Sequence, residues 1–276
     1  MPKSQKPEVI EWIYDSMLDP ATGKLARFVV TSDDVLAGID ATGVKLSKKN
    51  PSNFIKDVIR GHGASGMWPE RLKSLRIGGR QVTGDGNVFE FVPYDEGQAD
   101  PFPNRFGYHP GVARHQVQSI SMPLATKALG RDDETYLIQV AVKLAVIETH
   151  FALVSPINVV ELSHLQIGIK LRLTEVDSMY AATYVDDGGH LKQMIITAEA
   201  KKRRQRILEE QVIQQVRAAF HGTKTETVVP IAMMAAGDGI YVAEFKMVRR
   251  SDLPGFEVLE LESEALYELT PKVKGI

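Results

Sequence analysis

The chain has 276 residues, of which 43% are hydrophobic and 25% charged, and a formal net charge of -2. These proportions exclude a wholly disordered or collagen-like protein, and at roughly 150 residues per domain they suggest one large domain or two smaller ones. The sequence has no cysteine, so it can build neither a disulfide scaffold nor a thiolate zinc site, and the expected compartment is the reducing cytoplasm. The longest apolar stretch, 136–154, is interrupted by Gln139, Lys143, Glu148 and His150, which argues against a membrane span. The opening segment, MPKSQKPEVIEW, lacks an apolar signal core, so export is not expected.

Charge is unevenly distributed along the chain. Between Lys45 and Arg80, nine basic residues face only two acids, Asp57 and Glu70, a local excess of +7 in 36 residues. A solvated basic face and an anion-binding surface both fit that excess. Ser32-Asp33-Asp34 ahead of Val35, Leu36 and Ile39 predicts a capped helix, and a turn containing Gly43 follows. Asn50-Pro51 then predicts a second helix to about Arg60, with Phe54, Ile55, Val58 and Ile59 inward and Ser52, Asn53, Lys56 and Arg60 outward. Residues 80–83 and 88–92 flank Gly84-Asp-Gly-Asn87, which predicts a hairpin. Two helices with a basic outer face followed by a hairpin resemble a winged-helix DNA-binding domain over roughly 7–93. The resemblance implies contacts to DNA from Asn53, Lys56, Arg60 and Arg80. Residues 94–130, rich in Pro and Gly, are expected to connect this domain to a second at 131–276.

In the second half, Asp132-Asp133-Glu134 opens a long apolar helix to about Val154. Residues 165–173 alternate with period two and predict a strand. A second strand is expected over 178–185, a turn at Asp186–Gly189 and a third strand over 194–198. A helix over 202–220 and strands over 228–234 and 240–245 complete the order. The fold class expected is α/β in the α+β sense, a mixed central sheet flanked by helices.

Glu199-Ala200-Lys201 ends the third strand. Residues two apart on a strand share a face, so the carboxylate and the ammonium point the same way while Ala200 packs inward and offers its carbonyl. A turn centred on Asp187-Gly188 places Asp177 opposite Ala198 or Glu199, whereas Asp186 and Asp187 lie roughly 25–30 Å away at the hairpin tip. A slip of one residue would favour Glu175 instead. Two acids and a backbone oxygen suit Mg²⁺, and a nearby lysine could orient or deprotonate a water.

Asp177, Glu199 and Lys201 on a helix-strand-strand-strand-helix-strand order resemble the PD-(D/E)xK nuclease superfamily, which includes many type II restriction endonucleases. The resemblance covers about 131–247. It implies catalysis by Asp177, Glu199 and Lys201, with Mg²⁺ held by Asp177, Glu199 and the Ala200 carbonyl. It departs in two places: Val176 replaces the usual proline, and 21 residues separate Asp177 from Glu199. Members often add an acid from the first helix, for which Glu148 and Glu134 are candidates. The run Lys201-Lys202-Arg203-Arg204-Gln205-Arg206 is expected in the first turn of a helix, where its cations would oppose the macrodipole unless a DNA phosphate sat there. The activity implied is Mg²⁺-dependent, site-specific cleavage of double-stranded DNA by a homodimer leaving 5′-phosphates, with a separately encoded methyltransferase as a restriction-modification partner. The alternatives are a structure-specific repair or recombination nuclease and a catalytically inert DNA-binding regulator.

Overall fold

A computed structural model describes residues 4–60, 67–82, 86–98, 100–102, 105–171 and 174–276, apart from the side chains of Asp57, Arg60 and Leu129. The chain divides into two compact units, Met1–Arg105 and Phe106–Ile276. Among the described residues no single helix is long and apolar enough to cross a membrane.

The first unit runs α1 (Lys6–Ser16), β1 (Val29–Thr31), α2 (Ser32–Thr42), a 3₁₀ turn (Pro51–Asn53), α3 (Lys56–Arg60), α4 (Glu70–Ser74), β2 (Ile77–Gln81) and β3 (Asn87–Pro93). Its three-stranded sheet has the order β1-β3-β2. Thr31, one residue before the expected cap, and Asp34 form a capping box, and Gly43 closes α2 with φ +67°, a conformation glycine adopts without strain. The helix expected over 50–60 breaks in two, a 3₁₀ turn after Pro51 and the short α3, yet Phe54, Ile55, Val58 and Ile59 are all buried as their spacing predicts. Strands β2 and β3 pair antiparallel with Arg80 opposite Glu90, while 84 and 85 of the expected turn, and residue 83 before it, lie outside the described residues. Trp68 anchors this core, edge-on to Phe89 and Phe102, its indole N–H donating to the Ile77 carbonyl.

The second unit runs β4 (Ala113–Gln118), α5 (Leu124–Leu129), α6 (Glu134–Lys143), α7 (Val146–Leu153), β5 (Val159–Leu171), β6 (Thr174–Val185), β7 (Leu191–Lys201), α8 (Glu209–Gly222), β8 (Thr227–Ala236), β9 (Gly239–Phe245), β10 (Val248–Arg249) and β11 (Leu261–Thr270). Its eight-stranded mixed sheet follows the path β4-β11-β9-β8-β7-β6-β5, with β10 off the path beside β8. Strands β5, β6 and β7 form an antiparallel meander, and β8 joins parallel to β7 after the α8 crossover. The α+β class with a mixed central sheet stands.

Three local expectations are corrected. The single helix to Val154 is two helices bent by 60°, hinged at Ala145 with φ 50°. The bend keeps Tyr136, Leu137 and Val140 of α6, and Val146, Ile147 and Phe151 of α7, in one core on the same side of the sheet. Residues 94–130 are more than a connection, because β4 pairs parallel with β11 from Ala113 to Gln118. On that edge strand only Val117 is buried, so its sequence reads as polar loop. Lastly, α8 begins at Glu209, not Lys202. Ile207 and Leu208 are buried before the helix starts, and Glu209 and Glu210 occupy the first turn, where acids complement the macrodipole. The opposed-dipole argument for the basic run therefore does not hold.

Candidate active site at the open end of the β6–β7 hairpin

The β6–β7 ladder runs from Val185↔Leu191 to Ser178↔Ala198. The turn is one residue longer than expected because the Asp186 carboxylate accepts from the backbone N–H groups of Gly188 and His190. Continued one step past Ser178↔Ala198, this register puts Asp177 level with Glu199, the second of the two positions the sequence allowed. There backbone pairing gives way to a side chain: the Ala200 N–H donates to Asp177 Oδ2 at 2.9 Å. In a strand the N–H and C=O of one residue face the same neighbour, so the Ala200 carbonyl opens towards the same gap. Ala198 and Ala200 pack in the core beneath α6 and α7, which turns Glu199 and Lys201 to the α8 side.

On that side the Lys201 ammonium donates to Glu199 Oε1, and Gln215 Nε2 of α8 donates to Glu199 Oε2. The carboxyls of Asp177 and Glu199 lie close enough for the charge of one to act on the other. Glu199 and Lys201 are each only 4% exposed, while Asp177 is half-buried. Burial, and then the negative charge of Glu199, push the Asp177 carboxyl up to about 7 against the pull of the Ala200 amide and Lys201. Among the described residues, the buried polar atoms without a hydrogen-bond partner include Thr197 Oγ1 on this face of β7 and Gln215 Oε1 of α8. A buried polar atom left unpaired costs free energy unless water or a ligand supplies the partner.

The other candidates are placed as follows. Glu175, the fallback acid, is exposed and pairs with Lys170 of β5. Glu148 does not join the cluster. It lies on the α6–α7 side, where its charge acts on Tyr180, and burial pushes its carboxyl up. The hinge at Ala145, which the sequence did not signal, turns α7 that way. Glu134 opens α6 beside Lys202, with Nζ and Oε2 3.9 Å apart. Arg203 donates to the Gly237 carbonyl at 2.6 Å. Arg204 is exposed with φ 67°. In the first unit Asn53 is exposed, Arg80 pairs with Glu90, Lys56 is half-buried, and the Arg60 side chain lies outside the described set. His150 is fully buried and bonded to Tyr267, Glu244 and Ser263, the satisfied core histidine its apolar setting suggests.

Gln215 was missed. Its signal is a long amide on the buried face of α8, three residues after Val212 and four before Ala219, where the helical period calls for an apolar side chain.

Among the described residues no group of three or more His, Asp or Glu gathers to hold a metal. Mg²⁺ needs less than that, since it binds through one or two carboxylates and keeps several waters. Asp177, Glu199 and the Ala200 carbonyl form an all-oxygen set of that kind, and the repulsion that raises the Asp177 pKa is charge that a divalent cation would offset. The donor set fits. No family model, curated protein or solved structure matches this chain, so its function is argued from its own residues.

Proposed function

We propose that this chain is a Mg²⁺-dependent endonuclease of the PD-(D/E)xK type acting on double-stranded DNA. One observation carries the reading: Asp177, Glu199 and Lys201 meet where β6 and β7 part, with the Ala200 amide fixing Asp177. The supporting frame is helices α6 and α7, the β5-β6-β7 meander, the α8 crossover and β8 parallel to β7. The order α1-β1-α2-α3-α4-β2-β3 in the first unit, with β2 and β3 paired antiparallel after the helices, supports a winged-helix-like reading of that unit as the recognition module, and α4 is one short helix more than that pattern needs.

In this mechanism Asp177, Glu199 and the Ala200 carbonyl would hold the cation. When bound, Mg²⁺ supplies a water of lowered pKa and offsets charge building on the phosphate. Lys201 leaves its pairing with Glu199 so that its ammonium orients the attacking water and lies against the phosphate charge. Gln215 keeps Glu199 in place by holding its second oxygen. Water adds in line to phosphorus and gives up its proton to bulk water, the P–O3′ bond breaks, the 3′ oxygen takes a proton from solvent, and the new end carries a 5′-phosphate. Cutting both strands at one site calls for a homodimer. Site-specific restriction in the cytoplasm, guarded by a separate methyltransferase, is the subclass proposed, because a recognition module beside one cutting unit needs no motor.

The test is supercoiled plasmid incubated with purified protein and Mg²⁺, with the ends sequenced. Cleavage at a fixed sequence supports restriction, and cleavage confined to branched substrates supports a repair role. Glu199→Ala and Lys201→Ala should each lower the rate by at least about 100-fold while leaving duplex binding within a few-fold of wild type. Retained cutting in both variants removes the assignment, and an intact plasmid with persistent duplex binding favours an inert regulator.

A further inference from the structure

We infer that Arg204, unlike its neighbours Lys202 and Arg203, is a phosphate-gripping side chain that seats the DNA backbone beside the cutting site. The inference rests on the nuclease reading for its function but not for its test. Lys202 faces Glu134 at 3.9 Å, and Arg203 is turned onto the Gly237 carbonyl, to which it donates at 2.6 Å. Arg204 has neither an ion pair nor a hydrogen bond among the described residues, and its side chain is exposed. The turn that presents it is tied at both ends: the Gln205 N–H donates to the Lys202 carbonyl at 3.1 Å, and the Lys202 N–H donates to Gln205 Oε1 at 3.0 Å.

Within that turn Arg204 takes φ 67°, the left-handed region that a Cβ-bearing residue avoids and glycine enters freely. Glycine would close the same turn without strain, so the arginine is held there at a cost to the fold. Backbone strain kept at an exposed charged residue points to a ligand for that residue. At 3.8 Å per residue, the Arg204 Cα lies no more than about 11 Å from that of Lys201. An arginine side chain at that range reaches a phosphate close to the one being attacked. Its planar fork can donate two parallel hydrogen bonds to a phosphodiester, a contact that a point charge on lysine makes less well. The ligand class is the phosphodiester backbone of nucleic acid, bound without regard to base.

The experiment measures binding of a fluorescent duplex of about 30 bp to the full chain in EDTA, across about 50–200 mM salt. Arg204→Gly should weaken binding at low salt by at least about 5-fold and reduce the slope of log Kd against log salt by about 0.9, the loss of one phosphate contact. Its thermal midpoint should equal or exceed that of wild type, because the strained residue is gone. Arg204→Lys should keep the slope and lose part of the affinity. Lys192→Ala, an exposed cation at the far end of β7, should leave affinity and slope unchanged. Wild-type affinity and slope in Arg204→Gly overturn the inference. So does an equal loss in Lys192→Ala, and so does a fall in the Arg204→Gly midpoint alongside the affinity, which would mark a structural role. If wild-type protein leaves plasmid intact at every Mg²⁺ concentration, the nuclease reading fails while the duplex titration still decides the role of Arg204.

Discussion

The Asp177 carboxyl accepts one hydrogen bond from the Ala200 amide, yet it shares its space with Glu199 and little water, and its pKa rises to about 7. In the unfolded chain an aspartate ionises near its ordinary value of about 3.9, so the fold prefers the protonated form. The stability this group contributes is therefore complete below about pH 4 and is lost as pH climbs through about 7. Asp177→Asn keeps an acceptor for the Ala200 amide, gains an N–H₂ for Glu199 and removes the buried charge. Its thermal midpoint without metal should match wild type near pH 4, exceed it increasingly up to about pH 7, and then hold a constant lead. Adding Mg²⁺ should raise the wild-type midpoint, as any ligand of the native state does, and leave Asp177→Asn unmoved. Scanning calorimetry over that pH range, with EDTA or Mg²⁺, reads all of these. A variant no more stable than wild type at pH 8 would mean that Asp177 is better solvated than its surroundings imply. Stability and the proposed chemistry pull apart at this residue, as expected where a charge is kept for a cation that is not always bound.

Among the elements, α7, β9 and β11 are locked by a polar cluster inside the apolar core. His150 contacts Tyr267 at 2.8 Å and Glu244 at 3.1 Å, and Glu244 also accepts from Ser155 at 2.8 Å and Ser263 at 2.6 Å. His150 and Glu244 have no exposed surface. Glu244→Ala would strand an imidazole and two hydroxyls in a dry interior, so urea denaturation should show a loss of about 3–5 kcal/mol. The same cluster shows what the sequence could and could not disclose. Alternation along β5, the Asp-rich turn and the Glu-Ala-Lys at a strand end are local patterns, and they located Asp177 to within one ladder step. The hinge at Ala145 depends on how two apolar helices fit one sheet, which no local periodicity records. The late start of α8 arises because Ile207 and Leu208 find the core as extended chain, and helical spacing of apolar residues cannot distinguish that from a helix already begun. Edge strand β4 escaped because one face of it is wet and its partner, β11, is about 150 residues downstream.

Over the whole molecule the uneven charge seen along the chain is partly cancelled once it folds. Among the described residues, ion pairs join Lys48 to Asp40, Arg71 to Asp15 and Arg80 to Glu90, three acids outside that window, while Lys73 meets Glu70 within it. Lys45 and Lys49 stay exposed on the segment between α2 and the 3₁₀ turn, near the exposed Ser52 and Asn53. Pairing of this kind costs a cation much of its value as a phosphate contact, because DNA must compete with a carboxylate already in place. If the first unit binds DNA, Lys45→Ala with Lys49→Ala should weaken duplex binding by at least about 10-fold at low salt and reduce the salt slope by about 1.8, two phosphates. Arg80→Ala, which frees Glu90 as well as removing a cation, should lower affinity by general repulsion with a slope change of less than about half a phosphate. Fluorescence titration at several salt concentrations separates the two. A larger slope change from Arg80 than from the lysine pair would move the DNA-facing surface from the segment after α2 to the β2–β3 hairpin. Unchanged binding in all of these variants would leave contact with DNA to the second unit alone.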